Sequence, residues 1–406
     1  MNIKLKETTQ ELKNQIVSFA QQLIQTPSQT GDEKNISELI LEELKSLNYD
    51  ECFIDNFGNV IGIIKGNTNN KSIGYISNMD HKSPDKIDDW FESPNSGKII
   101  NDYIYGIGSN GSKGAIASQI YAGYILKKLD LIKNDYVVAF SVQKNSDTCF
   151  GIKNLFEDTF VDKNINLGNV ILGYPTSLNI YLGQRGRTQL QIDIIGRTSL
   201  SAVPWLGISP LNKLGSVIRM IENLTDNLPS HTLLEESTLA ITSVNTYPNK
   251  DNFVPDRCIL KLDRWFLNNE TIDEVRGQIQ AILNKLMGED HTFKAVVEIQ
   301  TQVIKSYTGY TEELPKFSMP FLTDVEDPII KKIYNPLREV QENINFGAWY
   351  GSNDGGYISC IKKIPLIGYA PGNQRYCDTP FDKIKIDDIL TATIGNCVIY
   401  NSLCLN

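Results

Sequence analysis

Leu12, Ile16, Ala20, Leu23 and Ile24 recur at helical spacing, and Pro27 closes the run. Ile36, Ile40, Leu44 and Leu47 repeat the pattern and predict a second helix. Residues 60–64 and 73–77 are short apolar runs of the kind that form buried strands. A helix is predicted after Lys113, with Ile116, Ile120, Tyr124 and Ile125 on one side, followed by strands over 136–142 and 169–172. Strands alternating with helices predict an α/β layer on a largely parallel sheet.

The pattern changes near Gly186. Leu190, Ile192 and Ile194 alternate with polar residues, as in a strand with one covered face. A helix carrying Leu211, Leu214, Val217, Ile218 and Ile221 follows, then strands over 239–244 and 258–266. A second helix with Ile272, Val275, Ile279, Ile282 and Leu286 leads to a last strand over 295–303. The order β-α-β-β-α-β is the ferredoxin-like split unit. The α/β pattern resumes near Pro320, so the expected organisation is a discontinuous α/β domain (1–186 and 318–406) with an inserted lid (187–317).

Composition narrows the function classes. The chain of 406 residues suits two domains, and 41% hydrophobic with 21% charged residues is ordinary globular usage. A net charge of −9 argues against a broad nucleic-acid footprint. The seven cysteines are odd in number, irregularly spaced and without a CxxC, which points to a reducing compartment. The first fourteen residues are polar, without the apolar core of a secretory leader, and no run approaches the ~18 apolar residues of a membrane span. A cytoplasmic protein is expected.

Several segments carry a resemblance. They are Tyr105-Gly106-Ile107-Gly108 leading to Lys113-Gly114, Tyr181-Leu182-Gly183-Gln184-Arg185-Gly186-Arg187, and Asp263-Arg264-Trp265 with Asn269-Glu270-Thr271. The C-terminal part adds residues 349–355, Ile364-Pro365-Leu366-Ile367-Gly368 with Pro371-Gly372, and Lys385-Ile386-Asp387-Asp388. Together they resemble the zinc-dependent aminoacylase, carboxypeptidase and acetylornithine deacetylase family, most closely its selenium-metabolism-linked hydrolase branch. The resemblance implies a three-layer αβα zinc-peptidase domain with a ferredoxin-like lid that also forms the dimer.

In that family two zinc ions share a water, a glutamate removes its proton, and the resulting hydroxide attacks an amide carbonyl. The resemblance places the first metal histidine on Asn78 and its orienting aspartate on Asp80. The bridging aspartate falls on Gly111, the catalytic glutamate on Lys144 and the adjacent metal glutamate on Asn145. The metal carboxylate before the Pro-Thr pair falls on Tyr174, the last metal histidine on Asp378, and the lid histidine that polarises the substrate carbonyl on Leu200. Of these eight positions only Asp80 keeps its chemistry. Zinc needs imidazole or anionic ligands, Gly111 offers no side chain, and Lys144 brings a cation where a proton acceptor belongs. The three histidines, His81, His231 and His291, cannot restore the set.

Two smaller readings remain at the sequence level. His81, Asp80, Asp147 and Asp378 would make a single-metal site if they converged, and Cys377 would be a nucleophile if His81 served as its base. Gly106-Ile107-Gly108 lacks the full dinucleotide spacing and reads as a tight turn. Arg185, Arg187, Arg264 and Asn252 match family positions in or near the lid that help bind the substrate carboxylate and support the dimer; they would serve there or tie the lid to the base, and if the cleft binds a small anion, they and Lys144 are the expected donors. The expectation is a catalytically degenerate homologue without a metal cofactor, a small-molecule-binding or scaffold subunit. It would form a homodimer, or a heterodimer with an intact relative, through the lid. The alternative is an active, Zn²⁺-dependent metallopeptidase or deacylase with a rebuilt site, acting on an N-acyl amino acid or dipeptide.

Overall fold

The structure is a computed structural model that describes residues 1–84 and 86–404. It divides into two units. The larger comprises Met1–Gln184, Val303–Glu312 and the chain from Leu322 onward; the smaller comprises Arg185–Gln302 and Glu313–Phe321. The return segment Val303–Glu312, expected with the lid, therefore packs with the larger unit.

The larger unit is a three-layer αβα domain. Its sheet runs in the order Glu51–Ile54, Val60–Ile64, Tyr136–Ser141, Ser72–Asn78, Leu167–Leu172, Leu366–Gly368, Ile180–Gln184. The central pairings are parallel. Others are not: Glu51–Ile54, Val60–Ile64 and Tyr136–Ser141 pair antiparallel, as does Leu366–Gly368 with Ile180–Gln184. The largely parallel sheet expected from the alternation of elements is thus mixed: Phe346–Trp349 adds a parallel pairing with Ile180–Gln184 at the far margin, whereas Glu51–Ile54 and Val60–Ile64 pair antiparallel because a short hairpin, not a helical crossover, joins them. Ser72–Asn78 and Tyr136–Ser141 are buried at every position, which explains their unbroken small and apolar runs.

The helices follow from local chemistry. Lys13–Gln25 stops where Thr26, preceding Pro27, turns extended at ψ 112°. Gly114–Lys128 is buried around almost its whole circumference, not on the one side its Ile and Tyr spacing suggested. It packs against the sheet and alongside the equally apolar Ile386–Leu403, which reaches the same sheet through Asn396 and Tyr400, so most of its surface is covered. A further helix, Asn2–Glu11, escaped the periodicity because its buried positions are Leu5, Thr8 and Thr9.

The smaller unit is an antiparallel sheet in the order Thr238–Tyr247, Arg257–Phe266, Gly186–Ile195, Lys294–Ile299, with helices Pro210–Thr225 and Ile272–Glu289. This is the ferredoxin-like arrangement. Leu190, Ile192, Ile194, Leu260, Leu262 and the helical Val217, Ile279 and Leu283 make its core. The expected last strand over 295–303 is interrupted at Gln300, whose N–H bonds the Gln189 carbonyl before the chain continues as Thr301–Lys305. A capping box of Thr271 and Glu274 starts the second helix.

Arg264 falls in phase with the core face of its strand and is only 1% exposed. Its guanidinium bonds the Glu270 carboxylate at 2.5 Å, and Glu270 also accepts from Ser237 Oγ at 2.8 Å and the Leu267 N–H at 3.0 Å. Removing one member of a buried ion pair strands the other charge. Arg264→Met should therefore lower stability by roughly 3–5 kcal/mol, read as a lower urea midpoint by circular dichroism. An unchanged midpoint would show that Glu270 needs no counter-charge.

Candidate functional site

The site begins where the central strands end. Met79, Asp80 and His81 follow Ser72–Asn78 and zip against Ser28–Thr30: the His81 N–H bonds the Ser28 carbonyl at 2.9 Å and Ser28 Oγ bonds the Met79 carbonyl at 2.8 Å. Lys144 and Asn145 open the loop after Tyr136–Ser141. Tyr174 follows Gly173, where a Cβ would lie 2.0 Å from Ser77 Oγ, so only glycine lets this backbone lie against the neighbouring strand. These residues, with Gly111, Trp349, Gln374, Cys377 and Asp378, line one cleft of about 250 Å³ in the larger unit.

Asp80 organises the cleft. Its Oδ1 accepts from Asn78 Nδ2 at 2.9 Å and the Lys144 N–H at 3.2 Å, and its Oδ2 accepts from Thr30 Oγ1 at 2.8 Å and the Asn145 N–H at 2.9 Å. The Asn78 amide thus makes the bond an imidazole N–H would make, while its Oδ1 is taken by the Ser112 hydroxyl. Nearby Glu33 is fully buried, accepts the Gly31 and Gln143 N–H groups at 3.0 Å, and is pushed up to about 7 by burial and then by the Asp80 charge.

Lys144 projects its ammonium 5.6 Å from the centroid of the Tyr174 ring and 3.5 Å from Asn145 Oδ1. Tyr174 is buried and donates to Asp354 Oδ2 at 2.8 Å, which Ser141 Oγ also donates to at 2.8 Å. Burial raises the Asp354 carboxyl above its usual range, while those two hydrogen bonds and the Lys144 charge oppose the rise. Asp378 is raised in the same way, against the pull of Lys144 and Lys82. Buried Lys113 donates to the Thr26 carbonyl at 2.8 Å and is brought down to about 7 by desolvation.

The structure brings Asn78, Asp80, Gly111, Lys144, Asn145, Tyr174 and Asp378 together. It does not assemble the single-metal set. His81 gives its Nδ1–H to the Lys82 carbonyl at 2.7 Å and its Nε2 lone pair to the Ser28 N–H at 3.1 Å, leaving nothing for a metal. Asp147 caps the 144–146 turn and does not line the cleft. Cys377 is no nucleophile: burial holds its thiol well above the usual range, and its Sγ–H points to the Asn110 carbonyl at 3.3 Å.

The three arginines expected to bind substrate have partners within the smaller unit. Arg187 clamps Asp263 through Nε at 3.0 Å and Nη2 at 2.7 Å and lies over Trp265, as does Arg185, which also bonds the Glu236 carbonyl. Arg264 is locked to Glu270, and Asn252 is an exposed turn residue at φ 66° whose carbonyl accepts the Ser201 N–H. Within the smaller unit Arg187 and Arg264 each hold a carboxylate, while the buried Arg264 Nε has no hydrogen-bond partner. Leu200 is half exposed, on a two-residue ribbon paired with Phe253–Val254. Asp354 was missed: its only sequence signal was its place in the 349–355 segment.

Residues 182–291 match the peptidase dimerisation domain. The uncharacterised protein YgeY of Escherichia coli K12 is 24% identical over 95% of this chain and 93% of its own length. Succinyl-diaminopimelate desuccinylase of Blochmanniella floridana is 25% identical over 85% of this chain and 88% of its own. An M20 family metallo-carboxypeptidase from Sulfolobus solfataricus superposes with a TM-score of 0.73 at 16% identity, covering 95% of this chain and 98% of that one. Together these matches support the zinc-dependent aminoacylase and peptidase family as the one that this chain resembles.

The side chains at this family's metal positions do not fit zinc. Asn78 and Asn145 are neutral amides, Gly111 has no donor, and the Tyr174 phenol is raised far above its usual range by burial and by Asp354. Among the described residues no group of three or more His, Cys, Asp and Glu side chains is arranged to hold a metal ion. No helix among them is long and apolar enough to cross a membrane.

His81 supplies a pH test. Burial, then the Lys113 charge, depress it to about 4 from an ordinary 6.5. The unfolded chain therefore takes up this proton first as pH falls, and the stability contributed above pH 6.5 is lost between about 6.5 and 4. Glu33 acts in the opposite sense over part of that window, so the readout is a difference. Relative to His81→Gln, the wild type should lose roughly 2–3 kcal/mol across it, measured by urea unfolding at several pH values. Parallel curves would contradict a neutral buried imidazole.

Proposed function

We propose that this chain is a catalytically degenerate member of its family, a small-molecule-binding or scaffold subunit that associates through the lid. One observation carries the reading: Lys144 sets an ammonium into the cleft, at the place to which the resemblance assigns the catalytic glutamate, with Asp354 and Asp378 within reach of its charge. A dication brought beside it would be repelled. A base is also missing, since each carboxylate nearby is hydrogen-bonded or set to hold other groups in place. The cleft retains polar and aromatic walls, Asn145, Gln374, Tyr174 and Trp349, which suit a small polar ligand with Lys144 as the anion donor.

The match to the peptidase dimerisation domain supports association through the smaller unit, with a second copy or with an intact relative. Leu200 supplies no imidazole, so a partner in a mixed dimer would not receive a polar lid group from this chain. Cleavage of an N-succinyl group, as the desuccinylase relative's name states, is the ancestral type of reaction against which loss of activity is best judged.

After incubation with excess zinc and desalting, the protein should retain less than about a tenth of a zinc per chain by elemental mass spectrometry. It should leave N-succinyl amino acids, N-acetyl amino acids and dipeptides uncleaved. A chain carrying Asn78→His, Gly111→Asp, Lys144→Glu, Asn145→Glu, Tyr174→Asp and Asp378→His should regain zinc. Gly111→Asp is sterically open, since a Cβ there meets nothing within 4 Å. One or two zinc ions on the natural chain, with chelator-sensitive cleavage, would overturn the proposal.

A further inference from the structure

A second cavity, of about 470 Å³, lies beside the loop that carries Cys377 and Asp378. Residues of this loop divide between two cavities: Gln374, Cys377 and Asp378 line the cleft, whereas Asn373, Tyr376 and Phe381 line the second one. The second cavity belongs entirely to the larger unit, and the reading of the first site does not use it.

Its base is a three-stranded sheet of Lys98–Ile100, Tyr103–Tyr105 and Lys383–Lys385. Lys383 pairs with Tyr105 and Lys385 with Tyr103, so alternation puts all four side chains on one face and leaves Ile104 and Ile384 on the buried face. The Lys383 ammonium is held 4.8 Å from the Tyr103 ring centroid and 5.1 Å from that of Tyr105, and it donates to Tyr105 Oη at 3.2 Å. Among the described residues no carboxylate lies within ion-pair distance of it. It is therefore a cation positioned by ring faces and left without a counter-charge. Lys385 lies beside it, 3.6 Å from the exposed Asp387 and close enough to the half-buried Asp388 for its charge to act on that carboxyl.

The mouth carries two aromatic rings, Phe381 at 70% and Tyr376 at 47% exposed. Large exposed rings rimmed by polar groups mark a surface that takes a partner. The back wall is rigid: Asn110 is buried, gives Nδ2–H to the Lys383 carbonyl at 2.6 Å and accepts the Asn373 N–H at 2.7 Å. Asp388, half-buried, adds an acceptor for a hydroxyl or amine. The volume falls within the range of small-ligand sites.

We infer that this cavity is a binding site for a planar aromatic ring carrying an anionic group, with the ring against Tyr376 and Phe381 and the anion on Lys383. A nucleoside monophosphate and an aromatic carboxylate share this chemistry. A compound held there touches the same loop that places Asp378, so both cavities would sense its binding.

Isothermal titration calorimetry on the full chain tests the site, with adenosine 5′-monophosphate, benzoate and inorganic phosphate as probes. Adenosine monophosphate or benzoate should bind, the tighter of the two identifying the source of the anion, and phosphate alone should bind at least ~10-fold more weakly. Lys383→Met and Phe381→Ala should each weaken the ring-bearing probe by roughly tenfold or more. Phe381 is exposed, so its variant reports on binding even if Lys383→Met disturbs the sheet. The inference fails if neither ring-bearing probe binds at about 5 mM, if phosphate binds as tightly as they do, or if binding survives both substitutions.

Discussion

Everything at the cleft depends on the Asp80 carboxylate and its four donors. Thr30, Asn78, Lys144 and Asn145 come from three separate stretches of chain, and Asp80 ties them together at the ends of two adjacent parallel strands. A buried carboxylate is tolerated only when its lone pairs are satisfied, and here two backbone N–H groups, of Lys144 and Asn145, and two side chains, of Thr30 and Asn78, satisfy them. The two backbone donors make that half of the interaction indifferent to which side chains stand at 144 and 145.

The consequence is electrostatic. Carboxylates that share a cleft repel one another unless cations or hydrogen-bond donors compensate them. Here they are few, and they are compensated. Gly111, Asn145 and Tyr174 carry no anion, and the remaining acids are compensated: Asp354 by two hydroxyl donors, Asp378 by the charges of Lys144 and Lys82. Asp382 sits under the Cys377–Asp378 loop and accepts the Gly108 and Asn110 N–H groups and the Ser109 hydroxyl at 2.7–2.8 Å, with burial pushing it up to about 6. The cleft is thus held together by hydrogen bonds and by the charges of lysine ammonium groups.

The fold was legible because it rests on periodicities that local sequence carries. The lid's alternating strands, its two amphipathic helices and the buried runs at 60–64 and 73–77 all state their environment directly. The helix Asn2–Glu11 was hidden because two of its three buried residues are threonines. The antiparallel margins were hidden because pairing direction is set by connections, not by composition. At the site, the linear order of replaced residues indicated a loss of metal chemistry, but not what filled the space. The roles of Asp354, Lys113 and Glu33 depend on burial, which a single sequence does not display. Arg264 shows the same limit: its place in the strand's alternation, in phase with Leu260 and Leu262, marked it as internal, yet a charged side chain is ordinarily read as exposed until its partner Glu270 is seen.

The central claim is that lysine charge and side-chain loss have replaced metal binding in the cleft. Crystals soaked in zinc and measured at the zinc absorption edge test it directly. The account predicts no anomalous peak between Asn78, Lys144 and Asp378, and an ordered Lys144 side chain over Tyr174. A peak there, with Asp378 and Asp80 turned toward it, would contradict it.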